Sequence, residues 1–77
     1  MAGNNKAQIA KMDFMITGLK DIIRKGQLGR KDMDKIQIAL EHAEKGRSYY
    51  IAGSMDKSGL HMSIAYDFMA EVVKTSA

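Results

Sequence analysis

Apolar residues recur at spacings of three and four along most of the chain, and the recurrence breaks twice. The first stripe is Ile9, Met12, Met15, Ile16, Leu19, Ile22 and Ile23. It falls within about 140° of a helix that turns about 100° per residue, and so predicts a helix over about 6–25. Asn5 suits the N-cap, with Gln8 at the capping-box position. Gly26 suits the left-handed residue that closes a helix, and Arg24 and Lys25 suit the negative end of its dipole. Phe14 lies off the stripe, on the side that carries Ala7 and Gly18.

The second stripe, Met33, Ile36, Leu40 and Ala43, predicts a helix over about 32–52, with Asp32 and Asp34 favourable in its first turn. Gly46 and Gly53 obscure its end, because a glycine inside a helix costs about 1 kcal/mol relative to alanine. A helix running straight through Gly46 would aim Arg47 into the apolar face, between Ala43, Tyr50 and Ile51. An unpaired guanidinium is costly there. The favoured resolution is a kink or end at Gly46, or snorkelling of Arg47 to solvent; the alternative is an anionic partner for Arg47.

Asp56-Lys57-Ser58-Gly59 reads as a turn, with Ser58 capping a third helix over about 59–74. Here Met62, Ile64, Ala65, Tyr66, Phe68, Met69, Val72 and Val73 span about 200° at helical period, with His61 inside the arc. One neighbouring helix cannot cover so wide an arc. No run alternates with the period of a strand. The expected fold is all-α: one domain over residues 1–77, with a flexible 1–5, a helical hairpin and a third helix, assembled as a homo-oligomer. The expected interface is Phe14, His61, Ile64, Tyr66, Phe68, Met69 and Val72.

Length strengthens the expectation of assembly. A chain of 77 residues buries only about 60% of its unfolded surface, so a lone core is marginal. The absence of Cys excludes disulfides and thiolate metal sites, and two His are too few for a zinc site without carboxylate help. Met1 to Lys6 contains no apolar segment, so no signal peptide is expected. No apolar run approaches the roughly 20 residues of a membrane span. A cytoplasmic location is the expectation.

Charge is uneven. Residues 1–31 carry seven Lys or Arg against two Asp, a net of +5, while residues 32–77 carry five cations against seven acids, a net of −2. Four of the cations, Arg24, Lys25, Arg30 and Lys31, flank Gly26-Gln27-Leu28-Gly29. A helix start with cations around it can hold an anion. Arg47, Tyr49 and Tyr50 could add a charge and a stacking surface, so these seven residues are the expected ligand contacts. The bland alternative is a pair of solvated helix ends whose cations serve the dipole.

The Gly-x-x-Gly turn resembles the backbone-clamping loop of KH domains over this tetrapeptide and its flanking cations alone. Such a domain needs a sheet, and no strand is predicted, so nothing of that family is carried over. A groove-reading helix wants cations where helix 2 carries Asp32, Asp34, Glu41 and Glu44. Catalysis is not expected: Ser54, Ser58 and Ser63 share no spacing with His42 or His61, and Glu41, His42 and Glu44 diverge around a helix.

The expected function is therefore non-enzymatic, without cofactor or metal. It is sequestration or docking of a phosphate-bearing, nucleotide-like ligand or of an acidic protein. By analogy, small inhibitors encoded by phages and mobile elements have this size and simplicity. The alternatives are a nucleic-acid-binding regulator that uses turn 24–31 and a structural assembly subunit.

Overall fold

In a computed structural model, which describes residues 5–76, the chain forms three helices: α1 (Lys6–Lys25), α2 (Arg30–Ile51) and α3 (Met55–Ser76). Among the described residues there is no strand. Apart from Asn5, the N-terminal segment expected to be flexible lies outside the described residues. No helix among them is long and apolar enough to cross a membrane.

Both ends of α1 follow from local chemistry. The Asn5 side chain accepts from the backbone N–H of Ala7 at 2.9 Å and of Gln8 at 3.2 Å, satisfying two of the groups a helix start leaves open. Gly26 closes the helix in the left-handed region at φ 62°, which only glycine adopts without penalty.

The other boundaries shift from those expected. Helix α2 begins at Arg30, two residues early, because Gly29 is extended and its carbonyl takes the Met33 N–H at 2.8 Å. The turn between α2 and α3 lies at 52–54, where Gly53 has φ 86°. Residues Asp56 to Gly59, expected as a turn, form the first turns of α3, with Asp56 at the positive end of its dipole. Ser58 is not a cap. It is buried, and its hydroxyl donates to the Gly46 carbonyl across the α2–α3 seam at 2.8 Å.

That bond also accounts for Gly46. Helix α2 runs through it, contrary to the expected kink or end. A Cβ placed there would lie 2.7 Å from Met62 Sδ and 3.3 Å from the Ser58 carbonyl oxygen. The glycine leaves room for α3 to pack directly against the α2 backbone, and close packing offsets its poor helix propensity. Arg47, one residue on, resolves by the less favoured route. It finds an anion, Asp13 on α1, with Nε donating at 2.5 Å and Nη2 at 3.4 Å.

Helix α2 is the centre of the molecule. Helices α1 and α3 each pack against it, and no Cα of α1 lies within 8 Å of one in α3. The core is thin: Met12, Ile16 and Leu19 from α1, Ile36, Ala39 and Ala43 from α2, and Met62, Ala65 and Val72 from α3. Its three alanines let backbones approach, and among the described residues Leu19 is the only large side chain fully buried. The result is an elongated body of 42 × 19 × 18 Å with α1 and α3 splayed from one spine.

Candidate functional site

The splay opens an apolar groove. Where the C-terminal halves of α1 and α3 diverge over the start of α2, a cavity of about 590 Å³ forms. Its floor is Leu19, Ile36 and Val72, all buried. Its walls are Ile22 on α1, Leu28 in the turn, and Met69 and Val73 on α3. Val73 keeps 68% of its surface exposed and Ile22 39%, so the walls stand in solvent. Lys25 and Gln27 form the rim, where the groove meets the basic turn.

The turn itself is electrostatically divided. Arg24 pairs with Asp21 one turn back, and Lys25 Nζ lies 3.1 Å from the same carboxylate. Those contacts, Lys25 first and Arg24 second, hold the Asp21 carboxyl below the ordinary carboxylate range. Arg30 and Lys31 are exposed, and neither has an ion-pair partner among the described residues. They stand at a helix start where no side chain caps the open N–H groups. Asp21 offsets one of the two charges it touches. Arg30 and Lys31 are the cations of the turn without an ion-pair partner among the described residues, and Asp32 and Asp34, which follow them on α2, have none there either.

The remaining expected ligand contacts are elsewhere. Arg47 is 17 residues beyond Arg30 on the same helix, which is about 25 Å of axial rise. It is occupied by Asp13. Tyr49 stacks on the ring of His61, centroids 5.4 Å apart, with Lys57 Nζ 5.5 Å from the tyrosine centroid. Tyr50 is half-buried against the core. The seven residues therefore form no single site: the tyrosines lie at one end of α2 and Arg30 and Lys31 at the other.

The expected interface also divides. Phe14 is 83% exposed and Tyr66 is 56% exposed, on the outer faces of α1 and α3. Ile64, Phe68 and Met69 are half-buried, while Val72 belongs to the core. His61 faces inward to His42, their Nδ1 atoms 2.9 Å apart. Sequence reasoning missed His42, Asp13 and the groove walls Ile22, Leu28 and Val73 as a set. The Asp21 pairing was legible, because Asp21 precedes Arg24 and Lys25 by three and four residues, the spacings that meet on a helix. The groove had no such local signal.

Comparison with models of protein families, with curated proteins and with solved structures finds no matching family, relative or fold.

Proposed function

We propose that this chain is a non-enzymatic binding protein, working as a small homo-oligomer, that docks an acidic protein segment in the groove between α1 and α3. The observation that carries this reading is an open apolar groove rimmed by Lys25, whose wall residue Leu28 precedes the cations Arg30 and Lys31, unpaired among the described residues, by two and three positions. A groove of this form accepts the apolar face of an amphipathic helix, whose anchors repeat at i, i+3, i+4 and i+7. Cations at the rim select acidic flanks and speed encounter. A nucleotide is a poorer occupant, because no aromatic ring lines the groove and the Tyr49–His61 stack lies toward the far end of α2.

Fluorescence anisotropy with a labelled helical peptide carrying Leu at i, i+3, i+4 and i+7 and Glu elsewhere tests the reading. Micromolar binding, lost on Leu28→Glu and weakened by Arg30→Gln with Lys31→Gln, is expected. Binding that survives Leu28→Glu in a folded protein overturns it. Steeply salt-dependent binding of duplex DNA or single-stranded RNA, without peptide binding, would assign the turn to nucleic acid instead. Light scattering reads the oligomer: loss of assembly on Val73→Glu, again without peptide binding, would assign the groove to a second copy.

A further inference from the structure

A second feature, away from the groove, joins α2 to α3. His42 and His61 bring their Nδ1 atoms to 2.9 Å, with ring centroids 5.1 Å apart and planes inclined by 23°. The centroid separation is about the nitrogen–nitrogen distance plus one ring radius at each end. The rings therefore meet edge to edge in nearly one plane. Each Nδ1 lone-pair direction runs toward the opposite nitrogen, the geometry of an N–H···N hydrogen bond. Two ligands of one metal would instead aim at a common third point.

We infer that His42 and His61 form a proton-operated latch between α2 and α3, closed while the two facing nitrogens share one proton and released when both carry one. In the neutral pair, one ring donates its Nδ1–H and the other accepts with its bare Nδ1. A first added proton goes to the outer Nε2 of the donating ring, and the bond persists with a charged donor. A second must go to the accepting Nδ1. Two N–H groups and two positive charges then face each other at hydrogen-bond distance, and the contact cannot survive.

The surroundings determine how readily that second proton binds. From α2, Glu41, Glu44, Lys45 and Tyr49 line the same depression as His61. From α3, Lys57 lies over the Tyr49 ring. The Glu44 carboxylate also engages Lys20 of α1 at 3.6 Å. Burial, then His42, then Lys45 push the His61 imidazole below its ordinary value. A lowered imidazole stabilises the fold above the ordinary value and loses that contribution as pH falls through it toward the lower folded one. The latch therefore opens on the acid side of neutrality, where few other side chains titrate.

The test is an NMR titration of the imidazole nitrogens in the full chain between pH 8 and 4.5, with amide exchange followed in parallel. The expected result is two apparent pKa values at least about one pH unit apart, as coupled sites require. Protection of the amides of 58–64 should fall with the second step. His42→Asn sets an amide, with both a donor and an acceptor, opposite the His61 nitrogen; it gains no proton and can turn its oxygen to accept from a protonated His61. It should show one titration and keep protection at low pH. Two independent imidazole titrations at one ordinary value, or equal acid loss of protection in His42→Asn, would overturn the latch. The wild-type titration decides the matter even where the variant is destabilised.

Discussion

Individual contacts in this chain differ in what they contribute, and burial sorts them. The Arg47–Asp13 pair links α1 to α2 through two hydrogen bonds, but both side chains keep a third or more of their surface. Exposed pairs of this kind contribute about 0.2–1 kcal/mol and less in salt. Asp13→Asn should therefore lower unfolding stability by less than about 1 kcal/mol at low salt, measured by urea denaturation, with the difference shrinking at high salt. Gly46 is the stricter position. Gly46→Val would drive two methyl groups toward Met62 and the Ser58 carbonyl. It should cost about 1–3 kcal/mol by overpacking, before any change in helix propensity. Ser58→Ala should cost about 1 kcal/mol, since the Gly46 carbonyl keeps its place in the helix ladder and only the cross-helix bond is lost. Thermal unfolding that left Gly46→Val unchanged would show that α3 does not approach α2 as closely as described.

At the scale of elements, local signals were readable and remote ones were not. Helix α1 could be read end to end, because Asn5, Gly26 and the terminal cations act within one turn of where they stand. Asn5→Ala should lower stability by about 1 kcal/mol for the same reason, a loss that thermal unfolding would register. The start of α3 was misread because Asp56, Ser58 and Gly59 all carry turn propensity, and that propensity is overridden by a partner on another helix. Ser58 satisfies its hydroxyl at Gly46, 12 positions earlier, and Gly53 takes the positive φ that the connection needs. The Arg47 alternative was posed from the stripe alone, but its resolution needed Asp13, 34 positions away. Nothing in residue spacing reports which acid on α1 reaches α2. The thin core follows from the same logic: three alanines place the helices close and leave Leu19 as the only large, fully buried side chain among the described residues. Leu19→Ala should therefore cost about 2–5 kcal/mol, enough to unfold a protein this small at ambient temperature or to make its folding depend on assembly.

For the molecule as a whole, the arrangement of helices matters more than any one of them. An all-α chain of three helices was legible from periodicity, but the order of packing was not. Periodicity says that each helix has an apolar face and does not say that α2 must serve both neighbours while α1 and α3 diverge. The wide arc on α3 was read as a subunit interface. Part of it, Met62, Ala65 and Val72, is consumed by α2. Met69 and Val73 line the groove, and Tyr66 stays outside. The basic turn stood out in the sequence, and spacing alone signals the Asp21 contacts of Arg24 and Lys25. The same spacing sets Asp34 four residues after Arg30, and only the structure shows that Arg30 and Lys31 stay unpaired among the described residues. The proposed binding surface is this groove and this turn, at one end of an elongated body. The most direct test maps amide chemical shifts of the full chain during titration with the Leu- and Glu-patterned helical peptide. Perturbations concentrated at Ile22, Leu28, Arg30, Met69 and Val73, with Tyr49 and His61 unmoved, are expected. Perturbations centred on Tyr49, Lys57 and His61, with the groove silent, would contradict it.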